Sequence, residues 1–183
     1  QSMFGSVVNF SMNWMYWIFI CLGYFLLLHT VWKSQVHMFE VYQIIRYRNI
    51  GLFWKIKFLT GFLMTACYVF SCLIVTFAVS LLWHAQAMWD IQWIVVFVSL
   101  TLNLYIHALT WLVIRLFSTV EMAIIVVGLL FYAGVRIVEP YIPLYYAMAD
   151  HISPYWLPTF AIELLIIVML MTLIIWKAKK SDF

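Results

Sequence analysis

Charge is scarce in this chain. Only 9% of its 183 residues are charged, against 67% hydrophobic and 20% aromatic. A soluble domain carries about 25% charged residues, so this composition cannot supply a water-facing surface. Cysteine is scarcer still. Cys21, Cys67 and Cys72 are an odd set, all inside apolar runs, which excludes a disulfide framework. The spacing of Cys67 and Cys72 does not match a zinc site and no histidine is near them, so all three read as small apolar core residues. No G-x-x-x-x-G-K-[ST] occurs, so the usual loop that cradles ATP phosphates is absent. H-E-x-x-H, G-x-S-x-G and paired-carboxylate motifs are also missing. Proline is confined to one place: all four lie between Glu139 and Phe160.

What is present is long uncharged stretches. A bilayer core of ~30 Å needs roughly 20 apolar residues as helix. Five runs approach or exceed this: residues 12–32, 58–82, 91–114, 116–135 and 159–176. None alternates as barrel strands do. The expected fold is an all-α integral membrane protein, a single polytopic helical bundle spanning residues 1–183 with five visible transmembrane helices. The chain starts at Gln1 without an initiator Met. An upstream helix would make six spans in the native chain and place its N-terminus inside.

Lys and Arg give the direction. Lys33, Arg46, Arg48, Lys55, Lys57, Arg115, Lys177, Lys179 and Lys180 fall on one side of a five-span arrangement, and Arg136 alone falls on the other. The side rich in Lys and Arg is the cytoplasmic one. This predicts a multi-pass protein of the cell membrane with a cytoplasmic C-terminus. The outer side carries Asp90, Glu139, Asp150 and Glu163. Its short loop, residues 83–93, is edged by Trp83, Trp89 and Trp93. Its second connection, residues 139–160, combines the prolines with Tyr141, Tyr145, Tyr146, Tyr155 and Trp156. Proline breaks regular helix and these aromatics favour headgroup depth, so an external interfacial elbow is expected. Between spans three and four, Ser118 or Thr119 is placed to cap the next helix, with Glu121 in its first turn.

The inner segment 33–57 is unlike the rest. Met38, Val41, Tyr42 and Ile45 fall at helical spacing, with Gln35, Glu40, Gln43 and Arg46 to the other side. That pattern describes an amphipathic helix at the cytoplasmic surface, with Gly51 as its end and Phe53 to Lys57 leading into the second span. Basic residues of this kind anchor to anionic lipid. The arginines and aromatics equally suit a protein interface.

The layout resembles the membrane subunit of an ABC transporter of the ABC-2 type. The likeness rests on MFEVYQIIRYRNIGLFWKIKFL (Met38 to Leu59), the proline-rich elbow and the terminal WKAKKSDF (Trp176 to Phe183). It implies a permease subunit of an ATP-driven exporter, with a cytoplasmic coupling helix. Phe39, Glu40, Tyr42, Arg46 and Arg48 would then contact the ATPase. It further implies no cofactor in this chain, ATP and Mg on separate ABC ATPase subunits, and a second permease subunit as homo- or heterodimer. Membrane lipids are partners and nucleic acid is not. The implied cargo is hydrophobic or amphipathic, such as an antimicrobial peptide or a lipid-like molecule.

Polar residues inside spans are costly and often functional. Asn103 and His107, four residues apart, share a helix face, and Glu163 lies one turn into the last span. These three are candidates for a translocation path; interhelical hydrogen bonding is the plainer role. Glu163 could also pair with Arg136. His29 lies at the inner end of the first span. Two other readings stand beside the exporter. One is a non-transporting immunity or sensor subunit that binds a cytoplasmic partner. The other is a polytopic membrane enzyme using His84, Asp90, Glu139, Asp150 or His151. Asp150 and His151 are adjacent, so on a helix they diverge by about 100° and make a poor pair.

Overall fold

The structure is a computed structural model that describes Phe4, Ser6 and residues 13–33, 50–82, 91–137, 139, 143–152 and 156–180. Regular structure there is entirely helical. In chain order it comprises α1 (Asn13–Lys33), α2 (Ile50–Leu82), α3 (Ile91–Phe117), α4 (Val120–Arg136), a 3-10 turn (Pro143–Ala147), α5 (Ala149–Ile152) and α6 (Trp156–Lys180). Four of these are long and apolar enough to cross a membrane: α1, α2, α3 and α6. The fourth expected span is α4, a helix of 17 residues. It rises only about 25 Å, short of the ~30 Å hydrocarbon core.

Several boundaries differ from the sequence reading. Gly51 does not end a helix. It lies at the start of α2, and Phe53 to Lys57 belong to that helix. Charge at Lys55 and Lys57 marks where an apolar run begins, but backbone hydrogen bonding can continue through it. The Lys57 ammonium lies over the rings of Phe53 (5.5 Å) and Trp54 (5.2 Å), one helical turn back. The aromatic faces thus offset its burial. At the other end of the chain, α6 runs through Lys177, Lys179 and Lys180. The amphipathic segment itself lies outside the described residues, and with it Phe39, Glu40, Tyr42, Arg46 and Arg48; so do Trp83, Trp89 and Tyr141.

α3 is the core of the bundle. Of its apolar stretch 67% is buried, against 11% for α2, and Ser99 to Leu109 are buried without a gap. α1 apart, every other long helix packs on it, which keeps its polar Ser99, Thr101, Asn103 and His107 away from lipid. α2 runs antiparallel to α3, with the Tyr105 hydroxyl donating to the Phe58 carbonyl at 3.0 Å. α6 runs parallel to α3. α1 pairs with α2 through Tyr24 Oη and Thr65 Oγ1 (2.7 Å) and through the Tyr68 hydroxyl on the Ile20 carbonyl (2.8 Å). Thr119 caps α4, its Oγ1 accepting from Met122 N–H at 3.3 Å. The buried stripe of α4 is Ala123, Val127, Phe131, Gly134 and Val135.

This register gathers cations at one end of the bundle. There α2 begins with Lys55 and Lys57, α3 ends with Arg115, and α6 ends with its three lysines. Arg115 sits over Trp111 at 5.6 Å and Lys177 over the Phe117 ring at 4.9 Å. Arg136 and the proline-rich elbow lie at the opposite end. The elbow is folded back against α3 and α4. Leu144, Ala147 and Met148 are fully buried, and the Ser99 hydroxyl donates to the Tyr146 carbonyl at 2.7 Å. Gly134 makes room for it: a Cβ there would stand 2.7 Å from Leu144 Cβ.

Candidate functional site

Three buried polar side chains of the bundle, Asn103, His107 and Glu163, meet between α3, α4 and α6. Asn103 and His107 come from α3, the core helix. Glu163 comes from α6, whose buried stripe is Thr159, Glu163, Ile167, Ile174 and Ala178. Glu163 shares the helix face that packs inward, so the apolar neighbours on that face carry it into the bundle. Asn103 is 0% exposed, His107 2% and Glu163 4%.

The structure brings these three together. Asn103 Nδ2 donates to Glu163 Oε1 at 3.5 Å, the long limit for a hydrogen bond. Among the described residues the other oxygen, Oε2, has no hydrogen-bond partner. His107 Nδ1 lies 2.8 Å from the Asn103 carbonyl one turn back. A carbonyl only accepts, so Nδ1 carries the proton and Nε2 is the acceptor of the neutral ring. The ring stacks on Phe131 of α4 at 4.4 Å and 15°. In turn Phe131 meets Tyr24 of α1 edge-on at 6.4 Å. One connected set therefore ties α6, α3, α4 and α1.

Chemically this set can fix helix register and orient an imidazole. Each member is closed off from the surface in the isolated chain. Glu163 does not pair with Arg136, which is exposed at the elbow end of α4. The link between Asn103 and His107 runs through the backbone rather than through the face their spacing gives them. Sequence spacing gave no sign of Phe131, because a stacking partner on another helix has no local signature.

Of the residues weighed for catalysis, Glu139, Asp150 and His151 are described. His84 and Asp90 lie outside the described residues, and Glu139 is exposed. Asp150 Oδ2 accepts from the Ser6 backbone N–H at 2.6 Å, and Ser6 in turn accepts from Asn13 Nδ2 at 3.1 Å. His151 stacks on Tyr145 at 4.0 Å and 13°. Burial lowers its pKa below the ordinary histidine value, while the Asp150 carboxylate opposes that shift. Among the described residues no three His, Cys, Asp or Glu side chains gather as a metal site. Of the cysteines only Cys21 is a core residue. Cys67 is exposed on the outward face of α2 and Cys72 is half-buried, so the core reading fails for Cys67.

Comparison with protein families, with characterised proteins and with solved structures gave no match to this chain.

Proposed function

We propose that the chain is the membrane-spanning subunit of an ATP-driven exporter of the ABC-2 type. The single observation that carries this reading is the polarity of the bundle. Cations gather at the end where residues 34–49 enter α2, and a proline-broken elbow covers the other end. Positive residues mark the cytoplasmic side, so the cationic end faces the cytoplasm and the elbow faces outward. The 34–49 segment then lies where a cytoplasmic ATPase can engage it. Its contacts are Phe39, Glu40, Tyr42, Arg46 and Arg48.

In this reading α4 is a fifth span. Its outward face is apolar, with Met122, Ile125, Leu129 and Tyr132 exposed. A helix a few ångströms short is accommodated by local thinning of the bilayer at modest cost. The energy comes from ATP and Mg on the partner ATPase, and a second permease subunit completes the pathway. The cargo class is hydrophobic or amphipathic. Asn103, His107 and Glu163 are the candidate residues of the translocation path, and in the isolated subunit they act as interhelical ties.

The test is reconstitution in proteoliposomes with an ABC ATPase co-expressed from the same source. ATP hydrolysis should rise when an amphipathic peptide is added, and Phe39→Ala should break that coupling while leaving membrane insertion intact. Insertion with no ATPase coupling in the wild type would favour the non-transporting subunit instead.

A further inference from the structure

Two clefts open on the flanks of the bundle. The cleft between α1 and α2, about 470 Å³, is lined by Tyr16, Phe19, Val75 and their neighbours, without a charged side chain among the described residues. The cleft between α1 and α4 is larger, about 670 Å³, and among the described residues it has one cation, Arg136. Its walls are otherwise apolar and aromatic, among them Trp14, Leu22, Phe25 and Tyr132. From Trp14 to Phe25 the α1 wall runs about 16 Å, close to half of a ~30 Å hydrocarbon core.

The space has an identifiable cause. Gly128 lies on the α4 wall, and a Cβ built there would meet nothing within 4 Å. A glycine that faces open space inside a helix is not demanded by packing against the protein. It leaves volume where any larger residue would project.

We infer that the α1–α4 cleft binds one anionic phospholipid of the leaflet at the elbow end, with an acyl chain in the cleft and its phosphate on Arg136. Depth, chemistry and charge agree. The cleft spans about one leaflet, its walls match a hydrocarbon tail, and its cation stands at the end of α4 where headgroups lie. Trp14 and Tyr132 are suited to that boundary. A planar guanidinium can hold two phosphate oxygens at once. The inference is independent of the exporter reading, because it needs no ATPase and no transport.

The experiment uses the full chain in mild detergent with equimolar phosphatidylglycerol and phosphatidylcholine of the same acyl chains, read by native mass spectrometry. The wild type should retain one lipid with about fivefold preference for phosphatidylglycerol, the scale of one basic residue at an anionic surface. Arg136→Gln should abolish that preference while retaining lipid, and Arg136→Lys should keep most of it. Gly128→Leu should lose both lipids at an unchanged melting temperature, since the added side chain fills the cleft and not the core. Arg115→Gln, at the opposite end, should behave as the wild type. Excess inorganic phosphate should not displace the lipid, because the tail is part of the site. Equal retention of both lipids by the wild type would overturn the inference. So would a preference that survives both Arg136→Gln and Gly128→Leu, or a lipid-free dimer that closes the cleft with a second copy.

Discussion

Asn103 and Glu163 face each other across α3 and α6 at 3.5 Å, and the same offset of 60 residues joins Phe117 to Lys177 at the far end of the two helices. Two contacts at one offset define a parallel register. Of the pair, only Asn103–Glu163 lies inside the bundle, so it holds that register where no water can compete.

Removing one partner should therefore cost more than softening it. Asn103→Leu leaves the Glu163 carboxyl in an apolar surround, with an expected loss of about 1–3 kcal/mol. Glu163→Gln keeps an oxygen that can accept and should stay within about 1 kcal/mol of the wild type. Melting in detergent checks both. A double-mutant cycle should give a coupling of ~0.6 kcal/mol, typical for polar pairs in membranes. Equal losses in both variants would contradict the pairing.

Two glycines of α4 predict opposite responses. A Cβ at position 134 would press on Leu144 Cβ at 2.7 Å and Cδ2 at 2.9 Å. Gly134→Ala should thus push the elbow off α4 and destabilise the protein by about 1–3 kcal/mol. Gly128→Ala meets nothing and should be neutral, or stabilising by up to about 1 kcal/mol through helix propensity. If the two substitutions behave alike, the elbow is not docked at Gly134.

The elbow should also respond to pH through His151. Its Nε2 is buried without a hydrogen-bond partner among the described residues, and burial lowers its pKa. The folded state then binds fewer protons than the unfolded chain, whose histidine titrates near the ordinary value of ~6.5. Stability conferred by the neutral ring is full above that value and is lost as pH falls through it toward the lower folded pKa. The melting temperature should fall between pH 7.5 and 5.5. His151→Phe keeps a ring against Tyr145 and should flatten that part of the dependence; an unchanged slope would remove His151 as the cause.

Much of the helical framework was legible because lipid leaves the sequence few alternatives. Long apolar runs gave the existence and order of every long helix among the described residues, and Thr119 gave the start of α4 through its cap. Starts were misjudged where charge marks the water boundary but not the helix end, as at Lys55 and Lys57 in α2. The elbow's burial was hidden because it depends on Gly134 meeting Leu144, two residues with no local relation. The site was half legible. Asn103, His107 and Glu163 stand out as polar residues in spans, whereas Phe131 and the cleft above Gly128 look like ordinary span residues until helices are set side by side. Cys67 was misread because an apolar run in a membrane has an outward face as well as a core.

Orientation can be read with two single cysteines in a background lacking the native ones. Ala85→Cys, in the connection between α2 and α3, should react with an impermeant reagent added to intact cells. Ser181→Cys, just beyond α6, should react only after permeabilisation. The reverse pattern would turn the cationic end outward and remove the basis for an inner docking segment.

The central claim is that a cytoplasmic ATPase docks on residues 34–49 by specific side chains. Arg46→Lys with Arg48→Lys retains charge but removes planar bidentate contacts, so it separates docking from lipid anchoring, to which Lys and Arg contribute alike at ~1 kcal/mol each. Extraction in mild detergent followed by quantification of co-isolated ATPase is the direct measurement. The account predicts a stoichiometric ATPase with the wild-type chain and a marked loss with the double lysine variant, both chains being equally inserted. No ATPase on the wild type, or wild-type recovery with the variant, would contradict it.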